Sequence, residues 1–368
     1  MASYIIYRRL CEIDSRRLSG IDIPDGYEVS SKVKQTIQEN PSNEGREVAI
    51  QKLGVVDGRI GGAAYSFPTR MEIDGCLVRG CTGGELSVED WARRSGLGFD
   101  LCDFDSDNRD GDHVIFEGAG LSQIAVKVHR FMGFKVLEYP RYIMLLKSRA
   151  LVEQRFPGRM GKVLCRVCDF AIAQYSLLIK LFYSIRSKGS AVEIVVDGDI
   201  EKLDDVARFT RDGSRFSEVH DSAWLRWVLN CSYSSERKIG LCLVQQNNMP
   251  IGFFMFKKRF HKQASHRGFK NVNLGSIIEW GCVTGKEKIL LWNIVNWVGK
   301  QRKELDAVEF PVYEPFVQKF LKRLGWRQVG NANFCFNIRS NSGFKAPGGM
   351  DNPANWRLRP AMGDAGLS

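Results

Sequence analysis

What this sequence lacks narrows it first. No stretch approaches the roughly 18 uninterrupted apolar residues that a membrane-crossing helix requires, so none is expected to span a bilayer. The opening Met1-Ala-Ser-Tyr-Ile-Ile-Tyr-Arg-Arg has no apolar core and no small-residue cleavage site, which argues against a secretory signal. The 10 cysteines are scattered. Only Cys165 and Cys168 form a close pair, and no second pair or His-x-His completes a zinc set. The simplest expectation is reduced thiols in a cytoplasmic protein without a metal site.

What is present points to a folded, basic chain. At roughly 100–200 residues per domain, 368 residues suggest two domains, or three small ones. A hydrophobic share of 44% and an aromatic share of 11% supply a core and exclude wholesale disorder. The net charge of +11 favours an anionic partner: nucleic acid, an acidic membrane surface or a phosphorylated small molecule.

Residues 50–66 read as two strands around Asp57-Gly58, a hairpin signal. Strands follow at 76–79, 84–88 and 113–117, a helix at 121–132 stopped by Gly133, and strands at Val136 and 142–146. Residues 150–190 form a long, largely apolar helix with basic ends, expected to pack between two halves or, alternatively, to lie on a membrane interface. Strands and helices resume at 191: a strand at 192–196, a helix at 223–229, a hairpin at 239–259 and a strand at 275–280. A helix at 289–305, a strand at 307–312, a helix at 315–324 stopped by Gly325 and a strand at 334–338 complete it. The halves share one order of elements but no sequence repeat. The stretch after Arg339, rich in Gly, Pro and Asn, reads as a loose tail. The expected division is 1–149, a linker at 150–190, 191–340 and a flexible tail at 341–368.

One stretch suggests chemistry. Arg93-Arg94-Ser95-Gly96-Leu97-Gly98 lies between a strand and a helix. Glycines there let a backbone approach a ligand, amides at a helix start favour a phosphate, and arginines add fixed charge. A bland basic turn is the competing reading. Together with Ala125-Val-Lys-Val-His129-Arg-Phe-Met-Gly133-Phe134, this loop resembles the GNAT superfamily of N-acetyltransferases. The resemblance covers residues 45–147 well. It covers 192–338 more loosely, through element order and an ending at Gly325-Trp326. Tandem chains of this kind resemble bacterial acyltransferases found with polysaccharide genes.

The resemblance implies an α/β fold of two GNAT-like domains, each a mixed, mostly antiparallel sheet flanked by helices. It implies acetyl-CoA, or another acyl-CoA, as co-substrate. Its pyrophosphate would lie on Arg93, Arg94, Ser95, Gly96, Leu97 and Gly98, and its pantetheine arm on backbone near Leu86 and Val88. An amine of a small molecule or sugar precursor would attack the thioester directly, which needs a base and an acid. Glu85 is the first candidate base and Glu117 the reserve. His129 stands where the family usually places a tyrosine acid. The second half has no such cradle at Gly281-Cys-Val-Thr-Gly285, which implies a degenerate copy.

Some features compete with this reading. Asp103-x-Asp105-x-Asp107 has calcium-loop spacing without the required Gly and Glu. The basic, aromatic-bearing segment 257–270 reads as a solvated hairpin edge and loop, or as a nucleic-acid or anionic-lipid contact. Two rival functions stay open: transfer from aminoacyl-tRNA, and a non-catalytic scaffold held at a membrane face.

Overall fold

The computed structural model describes residues 3–9, 17–18, 21–22, 39–43, 50–103, 113–149, 152, 156, 158–186, 189–195, 199–210, 213–230, 239–261, 271–339 and 343–362. The chain forms two compact units. Unit 1 comprises 1–138, 213–234 and 333–368, and unit 2 comprises 139–212 and 235–332.

In unit 1, strands β1 (Ser3–Arg9), β4 (Ile50–Val56), β5 (Arg59–Ile73) and β6 (Cys76–Val88) pair antiparallel in sequence. A separate two-residue hairpin joins β2 (Arg17–Leu18) to β3 (Ile21–Asp22). The β4–β5 turn is at Asp57-Gly58, both at positive φ, as the hairpin signal required. β7 (Ile115–Ala119) then runs parallel to β6. Helix α1 (Leu97–Cys102) follows β6, and α2 (Gln123–Phe131) follows β7. Ser122 caps α2 by accepting from the Ala125 amide, and Gly133 at φ 84° ends its turn.

Unit 2 repeats this order. β11 (Ile239–Gln246) and β12 (Met249–His261) form a hairpin turned by Asn247 and Asn248, both at positive φ. β13 (Val272–Cys282), helix α6 (Glu287–Lys300), β14 (Ala307–Pro311) and helix α7 (Pro315–Arg323) follow, with Gly325 at φ 69°. β9 (Ser190–Val195) pairs with β11, and helix α4 (Ile200–Phe209) follows it. The core is built from Phe254, Ile277, Leu290, Leu291, Ile294, Phe310 and Leu321, all almost fully buried.

Three boundaries differ from the expected division. β8 (Lys135–Leu145) closes the first half, yet its residues 141–145 pair with β14 in unit 2. β15 (Arg327–Ile338) closes the second half, yet its residues 334–338 pair with β7 in unit 1. Residues 213–234, expected to lie within the second domain, also belong to unit 1. There β10 (Phe216–Glu218) pairs with β5, and helix α5 (Ser222–Asn230) follows it.

Part of the expected loose tail is packed: Met350, Trp356, Arg357, Leu358, Arg359, Ala361 and Met362 are buried. Trp356 is 3% exposed, its ring lies 4.9–5.2 Å from those of Phe216, Phe334 and Phe336, and its Nε1 donates to the Met350 carbonyl. An aromatic cluster of that size outweighs the turn-rich composition around it.

The long linker is helix α3 (Arg159–Arg186), counted in unit 2. Tyr183 donates to Asn293 on α6, and Tyr175 donates to the Leu324 carbonyl after α7. No helix among the described residues is long and apolar enough to cross a membrane.

Candidate active site

The site in unit 1 begins with a parallel ladder that stops early. β6 and β7 pair only at Gly80–Ile115, Cys81–Phe116 and Thr82–Glu117. Beyond Thr82, β6 continues along β5 to Val88, while β7 continues along β15. The two strands therefore part at Thr82 and Glu117.

β6 also bulges within this stretch. Ala63 faces Ser87 but Tyr65 faces Gly84, so β6 carries one residue more than β5 across Glu85 and Leu86. A bulge leaves backbone groups outside the ladder and often marks a site. Leu86 is exposed and Val88 half-buried, on the segment expected to meet the pantetheine arm. The side chain of Glu85 lies outside the described residues, as do Asp105, Asp107 and residues 262–270 of the basic segment.

The basic loop is held to the sheet by small residues. A Cβ at Gly61 would fall 2.6 Å from the Ala92 Cβ, one at Gly62 2.7 Å from the Ser87 carbonyl oxygen, and one at Gly54 would collide with Leu97. Ala92, Leu97 and Leu101 bury fully against Val56 and Ala64 on this flat bed. Lys52, also buried, donates to the carbonyls of Leu101 (2.9 Å) and Asp103 (3.1 Å), a cation at the C-terminal end of α1.

The candidate phosphate ligands divide into two sets. Gly96 has φ 85°, so its backbone demands glycine. Gly98 sits in ordinary helix, and a Cβ there would meet nothing nearer than Val88 at 3.8 Å. The chain's own packing thus gives no reason for glycine at 98, whereas close approach of a ligand does. Ser95 Oγ donates to the Ala92 carbonyl (2.7 Å) and accepts from the Leu97 amide (3.3 Å), which fixes the turn. Arg93 pairs with Asp90 at 2.7 Å, and Arg94 is exposed beside it.

Glu117 is the unusual side chain. It is 1% exposed, and neither carboxyl oxygen has a hydrogen-bond partner among the described residues. The hydroxyl of Thr82, opposite it in the ladder, is buried without a partner as well. Burial pushes the Glu117 carboxyl well above the usual carboxylate range, and the nearby Glu218 pushes it further up; the Thr69 hydroxyl acts in the opposite sense. Glu218 reaches the cluster on β10, and its Oε2 lies 3.3 Å from His220 Nε2. His220 stacks on Trp224 at 3.7 Å. Sequence reasoning missed Glu218 and His220, because nothing local signals that residues 216–220 join the first half. Buried orphan polar groups are rare and ask for a reason.

His129 is seated differently. Its Nδ1 donates to the Ala125 carbonyl at 2.8 Å, its ring meets Phe134 edge-on at 4.9 Å, and burial lowers its pKa. The second copy explains this slot. Phe134 donates to the residue-129 carbonyl as Trp326 donates to the Leu321 carbonyl. Leu321, fully buried, therefore occupies the equivalent place, which makes the slot a core position.

Unit 2 contains the same wedge in a closed form. β13 and β14 pair parallel only at Leu274–Ala307, Gly275–Val308 and Ser276–Glu309. Here Ser276 donates to Glu309 at 2.6 Å and Arg259 donates to it at 2.8 Å. At the matching glycine, Gly285 at φ 86°, the amide donates to the Glu287 carboxylate at 2.9 Å. A built-in carboxylate thus occupies the loop of the second copy. No His/Cys/Asp/Glu group suited to a metal occurs among the described residues.

No protein-family profile and no curated protein matches the sequence. Solved structures do match the fold. A conserved protein of Enterococcus faecalis described as a probable N-acyltransferase gives a TM-score of 0.55 at 9% identity, covering 94% of this chain and 75% of that one. Saccharomyces cerevisiae N-myristoyltransferase with bound myristoyl-CoA gives 0.59 at 12%, covering 92% and 80%. A GCN5-related N-acetyltransferase from Kribbella flavida gives 0.50 at 12%, covering 94% and 73%. Identities this low speak for the fold alone. The chain has the tandem GNAT-like fold of such N-acetyltransferases and N-myristoyltransferases.

Proposed function

We propose that the chain is an acyl-CoA-dependent N-acyltransferase whose working site lies in unit 1. One observation carries this reading. The β6–β7 ladder parts at a buried carboxyl with no cation beside it, next to a glycine loop whose second glycine the fold itself does not require. The donor's pyrophosphate lies on the loop from Arg93 to Gly98, and its pantetheine arm follows the bulged backbone between Glu85 and Val88. The acyl group, acetyl in the simplest case, reaches the point where Thr82 and Glu117 diverge.

An amine of a small molecule or sugar precursor attacks the thioester carbon. The N–C bond forms, the C–S bond breaks, the amine proton passes to Glu117 and the CoA sulfur regains a proton. A carboxyl whose pKa is raised is a stronger base than an exposed one, which suits this step. Glu85 remains the second carboxylate to test. His129 is not needed in this scheme.

The test is acyl transfer from acetyl-CoA and a longer acyl-CoA to a panel of amines, read as free thiol release. Release that depends on both amine and Glu117 supports the reading. Amine-independent release, or none with any donor, contradicts it.

A further inference from the structure

We propose that helix α3 (Arg159–Arg186) docks the protein on an anionic lipid bilayer, lying in the plane of the interface rather than crossing it. The inference does not depend on the acyltransferase reading.

The helix has two apolar sides. One is accounted for: Gly161, Cys165 and Ile179 are buried in unit 2, and Tyr175 and Tyr183 hydrogen-bond there. The other side is a stripe. Val163, Val167, Phe170, Leu177, Leu181 and Ile185 recur at helical spacing, and each is more than half exposed. At 1.5 Å per residue the stripe runs about 33 Å. Contiguous exposed apolar surface on that scale marks an interaction face.

Charge selects the occupant. Arg159, Lys162, Arg166 and Lys180 are exposed along one flank, and Arg186 closes the end. Asp169 is the helix's sole acid, and its carboxylate accepts from the Ser148 amide at 2.7 Å. A second copy would set these cations against one another. An anionic bilayer takes both features at once: the stripe enters the acyl boundary while the long basic side chains reach the headgroups. The charges inside the helix, and the absence of any helix apolar enough to span among the described residues, keep it in the interface.

The full chain would be floated with vesicles of phosphatidylcholine alone and of phosphatidylcholine with about 30% phosphatidylserine, at low and high salt. Flotation is expected with the anionic vesicles and should fall with salt. A Val167→Ser/Leu181→Ser variant should abolish it without lowering the melting temperature, because both positions are exposed. Lys162→Gln and Arg166→Gln should each weaken it about fivefold, by loss of one surface cation. Three results would overturn the proposal: flotation unchanged by the serine variant, no flotation of a monomeric wild type, or a dimer that the serine variant dissolves.

Discussion

Glu117 and Glu309 occupy the same place in two wedges: each is the last residue of a short parallel ladder, facing Thr82 in one unit and Ser276 in the other. Their surroundings differ. Glu309 is bonded by Ser276 and Arg259, while Glu117 has no cation beside it and faces a second carboxyl, Glu218, with only the Thr69 hydroxyl acting in its favour. The second copy shows what the same scaffold does with this carboxyl when it is structural. The first copy buries the group without a cation, at a cost that a folding role alone does not repay.

Glu117→Gln preserves the shape and removes the ionisation. If Glu117 is the base, turnover falls about 10²–10⁴-fold. Stability should move the other way. The folded carboxyl has its pKa raised above the ordinary 4.5, so the folded state holds the proton longer than the unfolded chain. Wild-type stability is therefore fullest below that ordinary value and declines as pH rises toward the folded one. The glutamine variant should lose that slope and be the more stable protein at high pH. Urea unfolding across the range checks this; an unchanged slope with unchanged turnover would sink the assignment.

The glycine loop separates two effects. Gly98→Ala adds a methyl that meets only Val88 at 3.8 Å, in a helical residue. Stability should hold or rise by about 0.5–1 kcal/mol. Acyl-CoA affinity should nonetheless drop about tenfold, as close backbone approach is lost. Gly96→Asp adds a charge and a side chain at positive φ, and should remove binding while costing about 1–2 kcal/mol. Equal affinity in the alanine variant would mean that no ligand approaches there.

Much of this was legible in the sequence, and the gaps have physical causes. Asp57-Gly58, Gly133 and Gly325 were readable because positive φ leaves a local signature. The repeated element order was readable because periodicity is local as well. The partners of Glu117 were not. Glu218, whose charge acts on it, comes from a segment about 100 residues away in sequence, and Phe336, which faces it across β7 and β15, from further still. The equivalence of Glu117 and Glu309 rests on strand register, which neither apolar pattern nor spacing states.

His129→Leu reproduces the residue found at the equivalent place, Leu321. It should fold and keep turnover within about threefold. General acid–base catalysis typically contributes about 10²-fold or more, so a loss on that scale would restore His129 as the acid.

Trp356→Ala empties the space against Phe216, Phe334 and Phe336. About 3–5 kcal/mol of stability should be lost. A variant truncated before Gly343 should lose at least as much. Unchanged melting in either would show the C-terminal segment to be dispensable.

One of the two similar wedges is expected to bind donor. Calorimetric titration of the whole chain with acetyl-CoA, beside CoA and a longer acyl-CoA, tests it most directly. Saturation is expected at one site per chain, lost in Gly96→Asp and untouched by Glu287→Gln in the second copy. Two sites per chain, or binding that survives Gly96→Asp, would contradict it.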